Sequence, residues 1–285
     1  MTHTNIKTDS DSRFAHLGTP GRVWAVSAIH GELNRLEKLH DHLFERIRPG
    51  DRIIYLGNYL GHGNAPCAVI DELLTFRRMV LAMPGMLVDD LVYLRGNQEE
   101  MWQKTLQLHF SPNPVDDFVW MLGNGVASTL EDYGFDAHDG IEAAREGCVA
   151  LARWTGKIRQ RIRSKPGHEI FQTHLKRAGH TNVPTPHPET IPEAPAPMLF
   201  VNAGINPSEN LERQGDSFWW SRHNFQDITR EYDPFKRVIR GYDPKHKGMH
   251  INCVTATIDG GCGFGGSLVA AGFDQEANVI DILDI

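Results

Sequence analysis

The sequence predicts an α/β protein built as a two-sheet β-sandwich flanked by helices, in an α/β/β/α order. Two observations carry this. Three strand–loop–helix units follow one another in the first third of the chain, which implies a largely parallel sheet buried by helices. A run of short apolar strands fills the last third, and their meander-like order suggests a second, partly antiparallel sheet. With 285 residues, 40% of them hydrophobic, the chain has ample material for a buried core.

The elements follow in order. Residues 1–19 are polar and irregular and read as a flexible tail, with a single domain over 20–285. Val23–Ser27 is a short apolar run that ends in Ala28-Ile29-His30-Gly31; Leu33, Leu36, Leu39 and Leu43 then fall on one helical face. Ile53–Leu56 runs into Gly57-Asn58-Tyr59-Leu60-Gly61-His62-Gly63, and a helix follows through Val69, Ile70, Leu73 and Leu74. Leu91–Leu94 runs into Arg95-Gly96-Asn97-Gln98-Glu99, with a helix from near Glu100. Loops at the carboxyl ends of such strands are where ligand sites form. Residues 115–177 read as helical, and 178–197 hold six prolines, an exposed excursion rather than a boundary. Strands are then expected at Met198–Val201, Arg237–Arg240, His250–Ile258, Ser267–Phe273 and Ala277–Leu283.

Charge and composition exclude several classes. Twenty-nine basic against 36 acidic residues give a net charge of −7, which disfavours a nucleic-acid-coating role. No apolar run approaches the roughly 18 residues that span a bilayer, and the first residues lack a secretory apolar core. Cys67, Cys148, Cys253 and Cys262 are scattered, so a cytoplasmic, reduced setting without a zinc finger is expected.

The glycine-bounded loops carry a resemblance. Their order and spacing, with Asn202-Ala203-Gly204, Gly241-Tyr242, Trp220-Ser221-Arg222 and Ile258-Asp259 further on, resemble the calcineurin-like metallophosphoesterases. The likeness is in particular to bacterial serine/threonine-protein phosphatases and symmetrical diadenosine-tetraphosphatases, and it runs from about residue 20 to 285. The family places Gly-Asp-x-His-Gly, Gly-Asp-x-x-Asp-Arg-Gly and Gly-Asn-His-Glu after three strands, and His-Ala-Gly and Gly-His loops later. The resemblance implies the metallophosphoesterase fold, and, in active members, two divalent metals held by six side chains. Carried over singly, the first metal-binding Asp is Ala28 and the bridging Asp is Asn58. The two late histidines are Asn202 and Tyr242. Only His30 and Asn97 keep the ligand type. The proton-donating His is Gln98, its supporting Asp is Gly61, and the phosphate-clamping Arg is His62.

These replacements remove the chemistry. Hard divalent ions are held by anionic oxygens and imidazoles. Two such ions about 3.5 Å apart repel by about 19 kcal/mol at an effective dielectric of about 20. Asn58 brings no charge to offset that, and Gln98 cannot protonate a leaving oxygen as a histidine can. The expectation is a catalytically inactive pseudophosphatase with no metal. It would bind a protein partner or a phosphorylated ligand through the old cleft or its rim, with Arg222, Arg95, Asn58 and Asn202 as candidate contacts.

Two alternatives stand beside it. One is a divergent phosphoesterase with a single weakly bound manganese or other divalent ion on His30 and Asn97, helped by Asp243 or Asn58. The other is a structural subunit with a filled cleft, in which Tyr242 plugs the cavity. Arg153, Lys157, Arg159, Arg161, Arg163 and Lys165 form an acid-free run, read either as a solvated helix face or as a docking stripe for an acidic partner or for RNA. Gly260–Gly266 lacks the Lys-Ser/Thr of a P-loop and reads as a turn before a sheet-edge strand.

Overall fold

A computed structural model describes residues 13–183, 195–220 and 224–285. Its first sheet has the order β11-β10-β2-β3-β4. The strands β2 (Val23–Val26), β3 (Arg52–Tyr55) and β4 (Leu91–Tyr93) are parallel, joined by α1 (Leu33–Arg46) and α2 (Pro66–Leu81). All four β2 residues are buried, as expected for strands covered on both faces. After β4 come α3 (Asn97–Leu106), α4 (Pro114–Met121), α5 (Ala127–Asp132), α6 (Ala137–Glu146), α7 (Cys148–Ser164) and α8 (His168–Thr173). These helices and the sheet enclose one apolar core that includes Trp24, Tyr55, Leu73, Trp102, Phe118 and Trp154.

The second sheet has the order β1-β5-β6-β7-β9-β8. Its strands are β1 (Phe14–His16), β5 (Ala178–His180), β6 (Met198–Val201), β7 (Arg237–Arg240), β8 (His250–Ile251) and β9 (Thr255–Thr257). A second core between the sheets is built from residues such as Ile54, Phe200, Ile239 and Phe273. The outer face of this sheet carries Phe218 and Phe225 on short 3-10 turns, with Trp219 and Tyr232 beside them, packed on Leu199, Val201 and Val238.

Several expectations are corrected. Within the expected tail of residues 1–19, Phe14–His16 is a strand that pairs in parallel with Ala178–His180, and Phe14, Ala15 and Leu17 are buried. Residues 1–12 lie outside the described residues, as do 184–194, which hold most of the proline-rich excursion. That excursion, expected from 178, instead opens with β5. The last two strands, β10 (Val269–Phe273) and β11 (Val279–Asp284), join the first sheet rather than the second, β10 antiparallel to β2 and β11 antiparallel to β10 at the edge. They leave β10 interior, so the glycine-rich turn does not precede an edge. The second sheet is no meander either, because β6, β7 and β9 are mutually parallel. Long crossings separate them, as parallel pairing requires. His250–Ile258 is broken at Asn252, whose side-chain oxygen accepts from the Val254 and Thr255 amides at 2.9 and 2.6 Å, turning the chain into the β8–β9 hairpin.

Candidate functional site

The loops after β2, β3 and β4 and those after β6 and β7 converge at one end of the sandwich. His30, Asn58 and His62 adopt left-handed backbone conformations, with φ of 50°, 59° and 54°. Non-glycine residues hold such angles only where the surroundings enforce them. Here Glu99 does so. Its buried carboxylate accepts from the backbone amides of Asn58, Tyr59 and Gly96 at 2.8 Å and of Leu60 at 3.2 Å. It thereby fastens the second loop to the third. Gly96 lets the two loops meet, since a Cβ there would overlap the Asn58 side chain and crowd that of Asn202.

The floor beneath is neutral and internally bonded. Asn58 Oδ1 accepts from the Gln98 amide at 3.2 Å, while its Nδ2 lies 3.5 Å from His30 Nε2. Asn202 Oδ1 accepts from the Asn97 amide at 3.2 Å, and its Nδ2 donates to the Leu56 carbonyl at 2.7 Å. The two asparagines thus tie the strand ends together. Tyr242 packs with Ala28 and Ala203 in a small apolar cluster, and the Asn97 side chain bonds its hydroxyl. Its ring meets His30 edge to face at 5.4 Å.

Gln98 occupies the space that Gly61 leaves. A Cβ on Gly61 would overlap the Gln98 carboxamide, so the two replacements are a matched pair. The Gln98 side-chain Nε2 donates to the Asn124 carbonyl at 2.9 Å and lies 3.3 Å from His62 Nε2. His30 is fully buried, and its pKa is pushed down to about 3 by burial first, then by the nearby His62 and His246 imidazoles. Burial lowers His62 as well, with His246 adding to it. Both rings are therefore neutral near pH 7.

The mouth holds a residue pair that the sequence does not single out. Phe264, 43% exposed, stacks at 4.0 Å on His246, 4.4 Å from His62 and 5.2 Å from His30. His246 Nδ1 lies 4.0 Å from Asp259 Oδ2. No local motif marks His246, which sits in an exposed loop. Trp120, 52% exposed, stands one helical turn before Asn124 and packs on Trp220 at 5.8 Å.

The other candidate residues are placed as follows. Asp243, the one acid proposed to rebuild a metal site, is held by Arg240 at 3.1 Å and by the Lys245 and Lys247 amides. Arg95 Nη1 pairs with Glu100 at 3.3 Å. Arg222 lies outside the described residues. In the basic run, Arg159 donates to the Leu106 carbonyl at the end of α3, Arg161 to the Tyr133 carbonyl after α5, and Arg163 pairs with Glu169. The first two of these contacts cap helix ends.

The donor set does not fit two divalent metals. Beneath the His62 and His246 rings, the floor offers the His30 imidazole and neutral amides whose oxygens at Asn58 and Asn202 already accept backbone hydrogens. No group of three or more His, Cys, Asp or Glu among the described residues is arranged to hold a metal ion.

No protein-family model and no curated protein matches the chain. Solved structures do. One described as a candidate diadenosine tetraphosphatase superposes with a TM-score of 0.56 at 17% identity, over 95% of this chain and 97% of that one. A cold-active protein tyrosine phosphatase gives 0.52 at 10% identity, over 96% and 83%. The cold-active protein-tyrosine phosphatase of the psychrophile Shewanella sp. gives 0.50 at 11%, over 94% and 81%. At such identities the likeness concerns the fold, and the fold of this chain is the two-sheet metallophosphoesterase-like sandwich.

Proposed function

We propose that this chain is a catalytically silent phosphatase-like protein that binds a protein partner or a phosphorylated ligand at the rim of its old cleft. One observation carries the reading: where the family needs a bridging carboxylate, Asn58 spends its oxygen on the Gln98 amide. A neutral, internally bonded floor neither holds two cations together nor acidifies a water. Above it, Phe264 leaves ring surface exposed beside His62, and Trp120 leaves its ring exposed one helical turn before Asn124, as a binding rim requires.

A second reading, a one-metal phosphoesterase on His30 and Asn97, is favoured by the Asn97 Oδ1 atom, which is buried without a hydrogen-bond partner. Fluorescence anisotropy with a labelled phosphoserine peptide separates the two, with the peptide weighed by mass spectrometry afterwards. Binding without loss of phosphate, weakened in Trp120→Ala and Arg222→Ala, supports the scaffold. Manganese-dependent loss of phosphate contradicts it and supports the one-metal enzyme. Absence of binding also contradicts it, in favour of a filled-cleft structural subunit.

A further inference from the structure

Among the described residues, the sandwich is open along one side. There β11 ends the first sheet and β8 ends the second. Val279 of β11 and Ile251 of β8 both pack against the inter-sheet core. The Arg237 guanidinium donates to the Ala277 carbonyl before β11 and to the Cys253 carbonyl after β8, so the two strands start and finish at a shared corner. They consequently run antiparallel to each other in different sheets. Both are edges, and unpaired edges template further strand pairing.

The residues along this side are sorted by chemistry. Ile280, Ile282 and Met249 are 48%, 40% and 43% exposed, an apolar strip at the margin of the inter-sheet layer. Exposed Lys245, Lys247 and His250 lie in and just before β8. Glu276 and Asp284 lie along β11 and its preceding turn, whereas Asp281 is paired with Arg46 of α1 at 3.2 Å. One edge is basic and the other acidic. Pairing β11 with another β11 would set acid against acid, which like-charge cross-strand pairing disfavours. Pairing β11 with β8 sets acid against base.

From this division of charge we infer that the β8–β11 side is a homodimer interface. A second copy is related by a twofold axis along the strands. In that arrangement β11 of each copy lies antiparallel to β8 of the other. Lys245 and Lys247 of one copy stand beside Asp284 of the other, and the isoleucines and Met249 of both copies fill the seam. The interface is isologous, so it closes at two chains rather than growing. It lies apart from the floor of the old cleft, and Lys245 and Lys247 flank His246 at its mouth.

Sedimentation velocity of the full chain tests this. A dimer is expected in about 50 mM salt, with affinity falling at least about tenfold in about 500 mM salt, because the opposed charges are exposed and screened. Ile282→Lys is expected to give a monomer of unchanged circular dichroism. Lys247→Glu and Asp284→Lys are each expected to weaken dimerisation about tenfold, and their combination to restore it, since exchanging the charges keeps the attraction. The charge exchange keeps the test decisive even where Ile282→Lys fails to fold. A wild-type monomer at low salt overturns the inference. So does a dimer indifferent to the single charge reversals, or a double exchange that leaves dimerisation as weak as the single variants.

Discussion

Replacing His30 with leucine reads the electrostatics of the floor directly. The folded protein holds this imidazole at a pKa of about 3, against an ordinary 6.5. The folded state therefore refuses a proton that the unfolded chain accepts. The stability tied to His30 is complete above the unfolded pKa and is lost as the pH falls from there towards 3. A gap of this size costs about 0.2 kcal/mol at pH 7 and about 2 kcal/mol at pH 5. His40, His62 and His168 are also lowered, chiefly by burial, so acid destabilises the wild type through several groups. The His30→Leu variant isolates one of them. Urea unfolding followed by tryptophan fluorescence at both pH values is expected to show this variant losing about 2 kcal/mol less than the wild type between pH 7 and pH 5. Its stability at pH 7 is free to differ, because only the change with pH is compared. A pH dependence equal to the wild type's within about 0.5 kcal/mol would refute the placement of a neutral, buried imidazole at this floor.

Three further substitutions probe the loop framework. Glu99→Gln turns an amide group towards two of the four backbone donors now bound, and is expected to cost about 3 kcal/mol, lowering Tm by about 6 °C in calorimetry. Gly61→Ala is expected to destabilise by about 2 kcal/mol through its positive φ and its overlap with Gln98; adding Gln98→Ala should recover about 1 kcal/mol in a double-mutant cycle. Tyr242→Ala empties the cluster with Ala28 and Ala203 and is expected to cost about 3 kcal/mol in denaturant unfolding. Equal stability of that variant and the wild type would mean that the ring does not fill the floor.

The parallel strands and their glycine-bounded loops are legible because local signals agree there: buried apolar runs, glycines, and spacing along the chain. β1 is not legible, because three residues in a polar stretch show no period and only pairing with Ala178–His180 makes them a strand. Sheet membership of β10 and β11 is likewise hidden, since alternation announces a strand and not its neighbour. The turn at Asn252 depends on one side-chain oxygen meeting two amides, which a run of strand-forming residues masks. At the site, the identities of Asn58, Gln98 and Asn202 can be read from order and spacing. That their amides bond each other's loops rather than face an open cavity emerges only in three dimensions. His246 is invisible in sequence because its contact with Phe264 joins two loops that no shared motif links.

The central claim is that the amide floor supports no two-metal hydrolysis. Elemental mass spectrometry of the purified chain, paired with a manganese-supplemented p-nitrophenyl phosphate assay, tests it most directly. The expected result is no stoichiometric divalent metal and no turnover above a protein-free blank. A metal content near one or two per chain, with turnover that a chelator abolishes and manganese restores, would contradict it and make His30 and Asn97 the first residues to replace.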